Sequence, residues 1–234
     1  MAPVNLIESY QPSLLPQLTL PSFLTSPIVE IIIGQDEDET VLTAHQTLLL
    51  ESPFLNEFVK NFEVSGPRRI PLPTENVEAF GCFLQFQYTR DYTVTQNETS
   101  GPSDGTDDSG DQLLRHARIY TLAEKLGLPH LKNLAHKKIH KVNSTPGGEL
   151  TYARYVYTHT SLDDTTIRRP VASYWATRGH TLRHALDDQF KRLCIEVPEF
   201  GFDVLTIVMD RTEKHTEVDS SIRGSARKRL RGEK

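Results

Sequence analysis

The first regular pattern in the chain is Ile28-Val29-Glu30-Ile31-Ile32-Ile33, a nearly continuous β-branched run that reads as a buried strand. Gly34 and the acidic stretch Asp36-Glu37-Asp38-Glu39 interrupt it. Thr40-Val41-Leu42-Thr43 then returns as a second strand, which predicts a hairpin. The period changes to helical over Ala44 to Leu50. Ser52 as N-cap and Pro53 at the first helical position predict a second helix, with Phe54, Leu55, Phe58, Val59 and Phe62 on one buried face. Arg69-Ile70-Pro71-Leu72 reads as an edge strand, because Pro71 has no N–H for a central ladder. Thr74 is the expected cap of the next helix, whose Val77, Phe80, Leu84 and Tyr88 recur on one face.

Residues 95–111 break the pattern with Gly, Ser, Thr and Asp and read as a flexible acidic insert. Two helices follow. One carries Ile119, Leu122, Ala123 and Leu126 and stops at Gly127; the other carries Leu131, Leu134, Ala135 and Ile139. Pro146-Gly147-Gly148 reads as a linker into a helical extension over 149–210. There Ile167, Val171, Tyr174 and Trp175 form one stripe, with a kink or restart expected at Pro170. Leu182, Leu186, Phe190 and Leu193 form another, and Pro198 opens a last helix with Phe202, Leu205 and Met209 expected inward. The organisation expected is thus a disordered lead-in over 1–26, a first domain over 27–142, the extension over 149–210 and a disordered basic tail over 211–234.

This order of elements resembles a BTB/POZ domain. Ala44-His45-Gln46-Thr47-Leu48-Leu49-Leu50-Glu51-Ser52-Pro53-Phe54-Leu55 is similar to the family's "H-x-x-L…S-x-x-F" signature. Phe83-Leu84-Gln85-Phe86-Gln87-Tyr88-Thr89-Arg90-Asp91-Tyr92 is similar to its "F-L-x-Y-x-Y-T-G-x-Y". Tyr120-Thr121-Leu122-Ala123-Glu124-Lys125-Leu126, with Leu131 after it, looks like "A-x-K-Y…L". The likeness covers roughly residues 28–142, and Pro198 to Leu205 resembles the helical C-terminal part of compact fungal BTB proteins. The resemblance implies an α+β, mostly helical fold: a short sheet covered by helices, then a small helical extension. His45, Leu48, Ser52, Phe54, Leu84, Tyr88, Ala123 and Leu131 are the structural signature positions it assigns. In BTB transcription factors a strand acid and a base after the histidine form a charged pocket. Here the positions hold Glu30 and Gln46, a departure that weighs against corepressor recruitment.

Charge and candidate chemistry narrow the function classes. The 31 acidic and 26 basic side chains leave a mildly negative chain, which argues against a global grip on nucleic acid. Cys82 and Cys194 both lie among apolar residues and read as small hydrophobes. The N-terminus does not read as a signal peptide, and no apolar run approaches a membrane span. A reducing cytoplasmic or nuclear setting follows. His45 reads as a packed structural histidine. His136 and His140 stand at i, i+4, a metal-compatible spacing, yet the lysines around them favour a solvated basic face. Asp163-Asp164 and Asp187-Asp188 are explained by helix starts or exposed faces. Neither a phosphate-binding glycine loop nor a nucleophile elbow is found, so the reading is a non-enzyme with no cofactor and no metal.

The function expected is an adaptor or scaffold whose partners are other proteins. The resemblance adds a cullin-type ubiquitin ligase scaffold as a candidate partner. The alternative is a nuclear regulator in which Arg227, Lys228, Arg229 and Arg231 serve import or contact nucleic acid. Pro16 and Pro21 would break an N-terminal exchange helix, which predicts a monomer or weak homodimer with no membrane partner.

Overall fold

The computed structural model of the chain describes residues 22–94, 106–107, 110–186 and 188–230. It is an α+β protein, mostly helical. Strands β1 (Ile28–Ile33), β2 (Thr40–His45) and β3 (Arg69–Leu72) form one sheet in the order β2-β1-β3. β1 runs antiparallel to β2, with Ile31 opposite Leu42, and parallel to β3, with Ile31 opposite Ile70. β3 is therefore an edge strand and Pro71 is exposed, as its missing N–H requires. β1 is not buried on both faces. Val29, Ile31 and Ile33 point into the core, whereas Ile28 is exposed and Glu30 and Ile32 are half-buried.

Helices α1 (Gln46–Leu49), α2 (Pro53–Lys60) and α3 (Val77–Thr89) cover the inner face. Ser52 caps α2 with Pro53 in the first turn, as its sequence predicts. The fully buried residues of α2 are Leu55 and Val59; Phe54, Phe58 and Phe62 are only half-buried against the core. α3 starts two residues later than expected. Asn76, not Thr74, accepts the Ala79 N–H and caps it. α3 buries Ala79, Phe80, Phe83, Leu84 and Phe86, and leaves Tyr88 exposed.

Helix α4 (Asp111–Leu126) is the centre of the molecule. It packs against α3, α5 (Pro129–Ile139) and α6 (Pro146–His159), and buries Leu113, Ala117, Ile119, Tyr120, Leu122, Ala123 and Leu126. Gly127 ends it in the left-handed conformation at φ 69°. An added Cβ there would lie 3.1 Å from the Pro53 ring, so glycine meets both demands. The two-residue strands β4 (Thr106–Asp107) and β5 (Asn143–Ser144) pair in parallel, and Asp111 belongs to α4. The acidic insert is therefore tied into the fold at its C-terminal end; residues 95–105 and 108–109 lie outside the described residues.

Pro146-Gly147-Gly148 is not a linker but the first turn of α6, capped by Thr145. Gly148 is buried where α6 meets the start of α4, and a Cβ on it would come within 2.9 Å of the Gly110 Cα. The extension continues through α7 (Thr165–Leu186), α8 (Gln189–Glu196) and α9 (Pro198–Leu230). α7 runs on through Pro170 without restarting. Trp175 is buried among Phe190 and Phe200, with ring centroids 5.3 and 5.7 Å away, and Tyr157 packs on Phe200 at 5.3 Å.

Two expectations about α9 are overturned. Its backbone is helical to Leu230, well past residue 210. Phe202, Leu205 and Met209 point outward. Phe200 and Val204 form the face packed on the core, and a residue two places on is turned by about 200°. Near the N-terminus, Ser22–Thr25 form a 3-10 turn, so order begins before Ile28; residues 1–21 lie outside the described residues. No described helix is long and apolar enough to cross a membrane.

Candidate protein-interaction surfaces

The eight signature positions do not converge on one site. Leu48, Leu84, Ala123 and Leu131 are core residues. Ser52, fully buried, donates from Oγ to the Leu126 carbonyl at 2.7 Å and accepts the Leu55 N–H at 3.2 Å, so it joins the start of α2 to the end of α4. Phe54 beside it packs on Phe58 at 5.5 Å, with the Lys125 ammonium 5.5 Å from its ring.

His45 and Tyr88 do meet. The Tyr88 hydroxyl lies 2.7 Å from His45 Nδ1 and accepts the His45 backbone N–H at 3.2 Å. The one phenol thus bonds both the backbone and the ring of His45. Phe23 closes the cluster edge-on, 5.8 Å from His45 and 5.6 Å from Tyr88. His45 thus joins the sheet to α3.

Glu30 and Gln46 each find an arginine that sequence reading missed. Arg69 Nε donates to Glu30 at 2.6 Å and Arg68 donates to Gln46 Oε1 at 2.7 Å. The parallel β1–β3 pairing sets Glu30 opposite Arg69, a register that local sequence does not carry. Reading missed a second pair as well. Buried His116 has Nδ1 2.8 Å from the Tyr92 hydroxyl, and burial together with Lys138 pushes its pKa down to about 4. Lys138 donates to the Tyr92 carbonyl and to Asp91. Both networks fix the fold.

Two surface features can receive another molecule. The first is an open cleft of about 660 Å³ lined by Glu51, Phe86, Arg90, His130, Leu134 and Lys137, among others. Arg90 ends α3 in the left-handed conformation at φ 61° and clamps Glu51 with two bonds, of 2.7 and 2.5 Å. That bond holds the Glu51 carboxyl below its usual range despite partial burial. The second feature is the outer face of α9, where Phe202 is 69%, Leu205 55%, Val208 39% and Met209 53% exposed. Leu162, 68% exposed, stands across a shallow cleft from Phe202, with Glu199 and Asp203 on its rim. This face is held rigidly from behind. Tyr157 donates to Asp203 at 2.8 Å, and buried Arg168 donates to the Tyr157 and Thr160 carbonyls. Farther along α9, Arg211 bonds Ser173 and Thr177 of α7.

Arg227, Lys228 and Arg229 lie on the α9 backbone, and Arg231 lies outside the described residues. Cys82 and Cys194 are free half-buried thiols whose pKa values burial raises. Among the described residues no group of three or more His, Cys, Asp or Glu side chains could hold a metal. No protein-family model matches the chain, and no curated protein matches it.

Proposed function

We propose that the protein is a non-enzymatic adaptor of the BTB/POZ type that works in the cytoplasm or nucleus and binds another protein through the outer face of α9. The observation that carries the reading is the row of four large apolar side chains, Phe202, Leu205, Val208 and Met209, exposed on a helix braced from behind. Contiguous apolar surface of this kind marks an interaction site, since isolated exposed residues are ordinary and a row is not. Glu199 and Asp203 rim the cleft beside Phe202. Its complement is an apolar segment flanked by basic residues.

Two details support the BTB reading. Arg90 takes a left-handed conformation at the motif position where the family has glycine, the residue such a conformation favours. His45 has a packed, hydrogen-bonded role between strand and helix. On this reading the core's own surface, including the cleft beside Arg90, is the place for a scaffold of the cullin type, and α9 holds the client.

The test is affinity capture with mass spectrometry on the full chain and on a Phe202→Asp, Leu205→Asp variant. Proteins recovered by the first and lost by the second, with the variant's melting temperature unchanged, support the proposal. Identical recovery by both refutes it.

A further inference from the structure

A second site stands on independent geometry at the junction of α5 and α7. His136 and His140 are one turn apart on α5, and their Nε2 atoms lie 3.1 Å from each other. The rings meet edge-on with centroids 4.5 Å apart. The same His136 Nε2 lies 3.1 Å from the Thr166 carbonyl oxygen on α7. That carbonyl is exceptional for a reason written in the sequence. Pro170, four residues on, has no N–H to donate to it.

His136 Nε2 therefore faces two other electron-pair donors, each at 3.1 Å. If His136 Nε2 carries the proton that the carbonyl requires, the His140 nitrogen can only share that same proton from a second direction. A cation between the two rings satisfies the lone pairs together. The spacing fits such an ion. Imidazole nitrogens sit about 2.0–2.1 Å from zinc, so a separation of 3.1 Å corresponds to an angle of about 100° at the metal, close to tetrahedral.

We infer that His136 and His140 chelate one first-row divalent transition-metal ion of the kind imidazole prefers, zinc(II) or copper(II), beside the Thr166 carbonyl. Water completes the coordination, because the described residues supply no third His, Cys, Asp or Glu ligand. The nearby lysines do not forbid it. Lys132 is neutralised by Glu124 and Asp164, and Lys138 by Asp91. Lys137 is exposed to solvent, where water screens it. Asp164, two residues before Thr166, adds negative charge at the same junction. The ion would pin the last turn of α5, where it faces the start of α7.

The test uses the full-length chain stripped with a chelator. Zinc(II) and copper(II) are titrated separately by calorimetry, with magnesium(II) as the control. The expected result is one saturable zinc or copper site per chain, none for magnesium, and a thermal midpoint that rises with zinc. His140→Ala removes an exposed ring whose side chain bonds only His136 among the described contacts. It should weaken binding at least tenfold while leaving the metal-free midpoint unchanged, and His136→Ala should weaken binding similarly. Nitrogen hyperfine splitting from two imidazoles in the copper spectrum, reduced to one in His140→Ala, would mark the pair itself. Equal affinity in wild type and His140→Ala, or the absence of saturable zinc and copper binding, overturns the inference.

Discussion

Replacing Ser52 by Ala tests how the first helices are joined to the core. The Ser52 hydroxyl makes two bonds at once, accepting from Leu55 at 3.2 Å and donating to the Leu126 carbonyl at 2.7 Å, at a fully buried position. Loss of the cap costs about 1 kcal/mol. Loss of the second bond, which strands a buried carbonyl at the end of α4, costs about 1–2 kcal/mol more. The sum, about 2–3 kcal/mol, is a large share of a stability of about 5–15 kcal/mol. With a urea slope of about 2–3 kcal/mol/M, the unfolding midpoint should fall by about 1 M at an unchanged slope. Ser52→Asp separates the two bonds. Aspartate caps a helix well but, ionised, has no proton for the Leu126 carbonyl, so it should be at least as damaging as alanine. A wild-type midpoint in Ser52→Asp would show that the Leu126 bond contributes nothing. A shift under about 0.2 M in Ser52→Ala would sink the whole argument.

Trp175 is the single tryptophan and is 1% exposed against Phe190 and Phe200, so its emission should be blue-shifted and resistant to acrylamide; Trp175→Ala should cost about 3–5 kcal/mol in urea unfolding. Glu149 on α6 has its pKa pushed up to about 7 by burial, which Arg178 only partly offsets. The folded state then holds a proton that the unfolded state releases near 4.5, so stability should fall as pH rises from about 4.5 to 7. Glu149→Gln should flatten that slope and exceed wild type at pH 8, and parallel slopes in the two proteins would contradict it. Light scattering across a dilution series should give a monomer or weak dimer at micromolar concentration; a dimer mass persisting at nanomolar concentration would refute the argument from Pro16 and Pro21.

What could be read from the sequence was mostly local. Ser52-Pro53 and Gly127 announce helix ends because capping depends on the residue itself and its nearest neighbours. The edge character of β3 followed from Pro71 alone. The inward face of α9 could not be read this way. Phe200 and Val204 make one helical stripe and Phe202, Leu205 and Met209 another, and only the position of α7 decides which is buried. The Pro-Gly-Gly turn of α6 reads as a linker because glycine in a linker and glycine at a close approach look alike until Gly110 is seen against Gly148. His136 and His140 show their spacing in sequence, but the freed Thr166 carbonyl comes from another helix. The α9 surface needed the same long-range information.

The central placement of α4 has a practical consequence for cutting the chain. Its residues pack against α3, α5 and α6, and the Tyr120 hydroxyl reaches Asp164 ahead of α7 at 3.0 Å. Thr121 meets the Tyr155 hydroxyl of α6 at 2.9 Å. A fragment ending at residue 142 would strip α4 of the cover that α6 gives it and hand that surface to water. The sheet-bearing half and the helical half therefore share one core, and the two are expected to unfold together.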